Sequence, residues 1–267
     1  MPPLMVKSAS RVIRILELLA ANKNGLAHKD IAEDLVIPKG SLSKLLVNLI
    51  ETRYLSFDSA SKTYKLGSRV LTLANSYLSG LDMVQAAQPI VRELVAKTDE
   101  SASLLVREGN LALIVHRQYG NQPMSFRLGT GARIPLYATA SGKTLLAFSS
   151  KEEIDAYLSS VELKPLTLNT ITDPLTLLRE LESIRSKGVA HSLQEQFEGL
   201  SAIAAPIFGL DGRVSASLTI MYLNIRTPEI DFSLLEDALK KACNEISACL
   251  GFREAETRGV IREAFSR

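Results

Sequence analysis

One proline, Pro38, governs what the N-terminal part of this chain can become, because it separates two amphipathic segments that are each too short to fold alone. Upstream, Asp30 precedes Ile31-Ala32 with Glu33 three residues on, which reads as a carboxylate cap plus an N3 acid opening a short helix to about Leu35. Proline lacks the amide hydrogen of a helix interior and disfavours helical geometry in the residue before it, so Val36-Ile37-Pro38 must turn. Downstream, Leu42, Leu45, Leu46, Leu49 and Ile50 fall at i, i+3, i+4, i+7 and i+8, one complete apolar stripe. The opposite face carries Gly40, Ser43, Lys44, Val47 and Asn48, with no carboxylate before Glu51. Short helix, tight turn and second amphipathic helix is the helix-turn-helix order, in which the second helix enters the major groove near its N-terminus.

The flanking segments extend this unit. From Arg11 to Ala21, Val12, Ile13, Ile15, Leu16 and Leu19 make a helical stripe that ends near Asn22 to Gly25. After the second helix, Tyr54–Phe57 and Thr63–Leu66 are β-prone runs around the polar tip Asp58 to Lys62, the hairpin expected of a wing. Ser41, Ser43, Lys44 and Asn48 are placed for base edges and Lys62 and Lys65 for phosphates, with Arg11 and Lys39 completing the candidate DNA-binding set. Beyond Gly67, Val70, Leu71, Leu73, Ala74, Tyr77, Leu78 and Leu81 share one stripe with no proline among them, which predicts a long linking helix.

Charge divides the same way. Residues 1–81 hold 11 basic and 6 acidic side chains and the remainder 20 and 23, so only the first part is suited to a polyanion. A length of 267 residues fits two domains, and 46% hydrophobic with 22% charged residues is the composition of a chain with real cores. No apolar run approaches the length of a membrane span, and the start, Met-Pro-Pro-Leu-Met-Val-Lys, has no leader pattern, so a cytoplasmic protein is expected. Cys243 and Cys249, six apart in an apolar C-terminal helix, read as packing residues. His28, His116 and His191 share no metal spacing, so neither a metal site nor a cofactor is expected.

Residues beyond 82 alternate helical and β-prone segments. Helices are predicted to about Lys97, around 140–148 and 151–159, from Asp173-Pro174 to about Lys187, and over about 231–250. Strands are predicted near 101–107, 112–117, 189–193, 202–208 and 213–221, an α+β pattern with a largely antiparallel sheet. Ser141-Gly142-Lys143-Thr144 ends like a phosphate-binding loop, but the full motif needs glycine five residues before Gly142 and Tyr137 stands there. No recognisable nucleophile elbow supports an enzyme.

The block "DIAEDLVIPKGSLSKLLVNL" (30–49), the opening "RVIRILE" (11–17), "YKLG" (64–67), "YATASGKTLLA" (137–147) and "HSLQEQFEGLSAIAAPIF" (191–208) together resemble the IclR family of bacterial transcription regulators over nearly the whole chain. Departures are Gly40-Ser41 where the family has Ser-Thr, Lys44 where it has arginine, and Gln194 where an acid is commoner. The resemblance implies a winged helix-turn-helix over 1–67, a linker helix over 68–81, a GAF-like α+β effector-binding and oligomerisation domain over 82–251, and a tail, 252–267, without assigned role. It also implies double-stranded DNA with a palindromic operator, a homodimer or dimer of dimers, and a small carboxylate effector as partners. Carried over by position, the effector would contact Ala140 and Ser141 at a helix start and Ser192, Ala202, Thr219 and Met221 on the sheet. The function so implied is a ligand-responsive regulator, more often a repressor, of genes for metabolism of a small organic acid, including aromatic acids. The competing readings are a constitutive DNA-binding protein whose large domain only oligomerises, and a small-acid enzyme carrying an interaction module.

Overall fold

The computed structural model describes residues 6–79, 82–121 and 128–252, and for 75–79 and 82 the backbone alone. The chain divides into two compact units, Met1–Gly80 and Leu81–Arg267.

In the first unit, α1 (Lys7–Ala21), α2 (His28–Leu35) and α3 (Lys39–Glu51) are followed by the antiparallel hairpin β1 (Leu55–Asp58) and β2 (Thr63–Leu66), then by α4 (Ser68–Ser79). The stripes predicted from spacing meet in one core of Ile15, Leu19, Ile31, Leu35, Ile37, Leu42, Leu46, Leu49 and Leu55, except that Ile13, counted in the α1 stripe, turns to the exposed side. Two local readings are corrected. Helix α1 begins four residues before Arg11, and α2 begins at His28 rather than after Asp30. Asp30 is the N3 residue, its carboxylate accepting the Ala27 amide at 3.3 Å, so it closes the first turn from inside instead of capping it from outside. The first strand is shifted by one residue, because Asp58 accepts the Ala60 and Ser61 amides and so belongs to both strand and turn. Gly67 is required by close approach, since a Cβ there would lie 2.3 Å from the Arg53 carbonyl oxygen. The predicted linker stripe is described to Ala74, where Leu71 and Leu73 are exposed; the side chains of Tyr77 and Leu78, and Leu81 itself, lie outside the described residues.

The turn between α2 and α3 is made by Val36 in the left-handed region (φ 52°, ψ 48°), after which Pro38 caps α3 and its carbonyl accepts the Ser41 and Leu42 amides. A β-branched side chain there is strained by about 1–2 kcal/mol, and Val36 is 84% exposed, so little packing compensates. Val36→Gly is therefore expected to stabilise the protein by about 1 kcal/mol after the glycine's extra unfolded-state entropy is deducted. Chemical denaturation of the full chain checks this, and an unchanged or lowered midpoint would show that the turn is not strained.

The second unit is a six-stranded sheet of order β5-β4-β3-β8-β7-β6, with every neighbouring pair antiparallel. Its strands are β3 (Ser101–Glu108), β4 (Leu111–Gln118), β5 (Arg133–Pro135), β6 (Ala190–Leu193), β7 (Leu200–Phe208) and β8 (Val214–Leu223). Helices α5 (Asp82–Thr98) and α9 (Phe232–Cys249) cover one face; α6 (Ala140–Ala147) and α8 (Pro174–Lys187), with α7 (Lys151–Ser160) in the same core, cover the other. Alternation along the strands does the sorting. Ile203, Ala205, Leu218, Ile220 and Tyr222 belong to the α9 side, where Tyr222 meets Phe232 edge-on, while Ala190 and Ala204 pack with Ala140 on the α6 side. The fold is thus a winged helix-turn-helix, a linker helix and a GAF-like α+β unit. The short strand β5 and a 3-10 segment, Asn224–Glu229, are additions to the predicted elements. Only Cys243 packs: it lies on the buried stripe of α9 with Leu239 and Ile246, whereas Cys249, six residues on, has rotated to the exposed side. No helix among the described residues is long and apolar enough to cross a membrane.

Candidate functional site

The outward face of α3 follows from what its inward face buries. With Leu42, Leu46 and Leu49 in the core, Lys39, Ser43, Lys44, Val47 and Asn48 are exposed by helical geometry alone. The Lys44 and Asn48 side chains have no hydrogen-bond or ion-pair partner among the described residues, so both are free to meet a ligand. Other candidates are already engaged. Ser43 Oγ donates to the Lys39 carbonyl at 2.9 Å and stands 3.0 Å from His28 Nε2, and Ser41 Oγ accepts from Arg11 Nη1 at 3.3 Å. Arg11 therefore braces the start of α3 as well as presenting charge. In the wing, Lys62 is exposed at the hairpin tip with φ 54°, while Lys65 stands 3.7 Å from Asp58, a half-exposed pair worth little in stability but a competitor for phosphate. The sequence reading overlooked Lys7 and Arg14. Together with Arg11 they recur at i, i+4 and i+7 on α1 and line a groove with Ser10, Leu35 and Val36, a cationic stripe that the spacing could have shown.

In the second unit, register places the remaining candidates. Ser192, Ala202, Met221 and Ser101 are successive partners across β6, β7, β8 and β3. Two residues along, and hence on the same face, run Ala190, Ala204, Thr219, Ser103 and Arg117. The four predicted sheet residues thus share the face that α6 covers. Ser192 Oγ donates to the Ala138 carbonyl just before α6, and Thr219 Oγ1 donates to the Ile203 carbonyl at 2.9 Å. Ala140, Ser141, Ser192 and Thr219 are buried; Ala202 and Met221 are half-buried.

Helix α6 begins here because Thr139 caps it, its hydroxyl accepting the Gly142 amide and donating to the Pro135 carbonyl. Gly142 lies so close to Leu136 that a Cβ would fall 2.3 Å from that residue's Cα and carbonyl oxygen. The amides of Ala140 and Ser141, in the first turn, have no intrahelical acceptor. Lys143 points elsewhere: it is 1% exposed, with Nζ 2.7 Å from Glu195 and 3.1 Å from Glu180. The Ser-Gly-Lys-Thr likeness to a phosphate loop has a structural origin, with glycine needed for packing and lysine for an internal ion pair. Burial pushes the Glu195 carboxyl above its usual range, and the Lys143 ammonium acts against that rise. The loop after β6 is held further by Thr167 and Thr170, whose hydroxyls donate to the Gln194 and Glu195 carbonyls at 2.7 Å. The Lys143 pairing has no signal in the sequence, because residues 52 positions apart share no local pattern.

A helix-turn-helix head with an exposed polar recognition face, and a second α+β unit with helices on both sides of its sheet, together have the two-part make-up of a DNA-binding regulator. The chain belongs to the IclR family: residues 75–248 match the bacterial transcriptional regulator IclR C-terminal family and residues 8–59 the IclR helix-turn-helix domain. It is 32% identical over 246 residues to the HTH-type transcriptional regulator KipR of Bacillus subtilis, covering 92% of this chain and 98% of that one. It is also similar to the DNA-binding transcriptional repressor YiaJ of Escherichia coli, 29% over 261 residues, 96% of this chain and 92% of the relative. The crystal structure of the Thermotoga maritima IclR superposes with a TM-score of 0.81 at 29% identity, covering 92% of this chain and 99% of that one. These relatives are transcriptional regulators, and DNA-binding transcription regulation is the coarse function of this chain.

Proposed function

We propose that this chain is a ligand-responsive repressor that binds a palindromic operator as a dimer or dimer of dimers in the cytoplasm and releases it when a small organic acid occupies the second unit. The observation that carries the DNA half is the division of α3, whose leucines are sealed into the head while Lys44 and Asn48 stand free on the opposite face. Lys44 and Asn48 read base edges, helped by Ser41 and Ser43; Arg11, Lys39, Lys62 and Lys65, with Lys7 and Arg14, contact phosphates. The likeness to the repressor YiaJ supports the regulatory sign. For the second unit, the support is a sheet face lined by Ser192, Ala202, Thr219 and Met221 beneath the start of α6, where the Ala140 and Ser141 amides and the helix dipole suit a carboxylate. Domain limits of 1–67, 68–81 and 82–251 belong to the same proposal. A ligand loosens the DNA complex only to the extent that it prefers one arrangement of the heads over another.

The test is a titration of the full chain against DNA from upstream of its own gene, followed by fluorescence anisotropy. Lys44→Ala and Asn48→Ala are each expected to weaken specific binding by about 10-fold or more, at about 1–3 kcal/mol per good base contact, while leaving random DNA almost unaffected. Lys62→Ala is expected to weaken both alike and to reduce the salt slope by about one. Absence of any preference for that DNA over random sequence would defeat the proposal.

A further inference from the structure

A β-bulge in the sheet turns a cation toward the α6 face. Strand β4 pairs with β3 through Ile114 opposite Leu105, and Ala112 and Ile114 pack in the α6-side core. Strict alternation would next bring His116 to that side. The register slips between Leu104 and Leu105, however, so that His116 faces Leu104, on the α5 side where burial, and after it the charge of Arg92, lowers its basicity, and Arg117 faces Ser103 on the α6 side. Bulges that re-aim one side chain in this way recur beside binding sites.

Arg117 arrives there only 8% exposed. Its Nη1 donates to the Leu128 carbonyl and its guanidinium stands 4.9 Å from the Tyr119 ring centre, but Nε and Nη2 have no partner among the described residues. Ser103 Oγ, its register partner on β3, is likewise buried and without a partner. Burial pulls the guanidinium below its ordinary basicity, yet an arginine stays charged, and a buried charge with open donors is costly unless an anion meets it. The α6 start lies over β6 and β7, and Thr219 and Met221 of β8 lie between it and this arginine.

We propose that Arg117 and Ser103 bind a second anionic group of the effector, which makes that effector a dicarboxylate with one end on the Ala140 and Ser141 amides and the other at β4. The proposal rests on the reading of the α6 face as the effector pocket. Three strand spacings of about 4.8 Å separate β4 from β7, more than one carboxyl group can bridge, so two anionic groups joined by a short carbon chain are needed to meet both ends. Arginine's planar fork matches one carboxylate through two parallel hydrogen bonds, and the Ser103 hydroxyl supplies a third donor.

Calorimetric titration of the full chain with succinate, glutarate and adipate, against hexanoate and benzoate as single-charge controls, tests this. At least one diacid is expected to bind about 10- to 100-fold more tightly than hexanoate, the range of a charge-assisted pair. In Arg117→Met that ratio should fall to about one with hexanoate affinity unchanged, while Ser103→Ala should cut diacid affinity about 10-fold or less. Arg117→Met removes a buried charge, so its ligand-free melting temperature should equal or exceed that of the parent, which separates lost recognition from lost folding. Monoacids binding as tightly as diacids, or a diacid preference surviving in Arg117→Met, would overturn the second anion site and leave the pocket reading intact. Failure of every acid to bind would overturn both.

Discussion

Replacing Lys143 by methionine is expected to destabilise the second unit by about 3–5 kcal/mol, the range for removing one partner of a buried ion pair. The size of the effect comes from what remains. Glu195 would keep its buried position, held by the hydroxyls of Thr167 and Thr170 through its own carbonyl, with a carboxylate that has lost the ammonium 2.7 Å away. Glu180 is a third exposed and recovers water, so it contributes little to the loss. The sign of the pH dependence follows from the raised folded value of Glu195. A carboxyl that holds its proton more tightly folded than unfolded favours the fold most at low pH, and that advantage disappears as pH rises through the folded value. The deficit of Lys143→Met should therefore be largest near neutral pH and shrink as pH falls toward about 4, where the group is protonated in both states. Lys143→Met with Glu195→Leu should recover most of the lost stability. Urea denaturation at several pH values decides the matter, and a midpoint that does not move in the single variant would show that the pair is not structural.

Gly142→Ala is expected to cost about 3 kcal/mol, the upper range for overpacking, because the atoms in its way are backbone and cannot rotate aside. A Cβ 2.3 Å from Leu136 Cα and O and 2.7 Å from its carbonyl carbon forces α6 away from the segment before it. That displacement would carry the Ala140 and Ser141 amides off the face formed by Ala202 and Ser192. On the effector reading proposed above, response to acids should be lost while the affinity of the head, a compact unit of its own, for DNA survives. Anisotropy titrations with and without acid, beside a denaturation curve, separate these outcomes, and an alanine variant that keeps full stability would contradict the packing described here.

Much of this arrangement is legible in the sequence where structure follows from spacing. The α3 stripe from Leu42 to Ile50 predicts both its buried side and its exposed side, and Pro38 fixes the turn before it, because helical period and missing donors are local properties. Boundaries were less legible: Asp30 can serve as cap or N3 acid on sequence alone, and only the Ala27 amide in space decides between them. Strands β3, β4, β7 and β8 announce themselves by apolar runs, whereas β5, three residues long, does not. In the second unit the family pattern led to Ala140, Ser141, Ser192, Ala202, Thr219 and Met221, and register shows the four sheet residues on one face. Arg117 was out of reach, since a single slip in strand pairing sets the direction of its side chain and nothing in the run from Leu111 to Gln118 signals it. Tyr137, standing where the phosphate-loop motif needs glycine, already sets Lys143 apart from a phosphate ligand, but its pairing with Glu195 and Glu180 is a contact across the fold that no local pattern carries.

The outermost strands of the six-stranded sheet are its shortest, three residues in β5 and four in β6. An open sheet margin is a template on which foreign extended chains can grow, and its capacity scales with the number of unmatched amides it offers. By ending in stubs, the sheet denies a passing strand the continuous ladder that aggregation needs, even with the apolar Leu193 exposed on one margin. Lengthening β6 by a few well-paired residues would remove that protection without replacing any residue proposed to contact DNA or an effector.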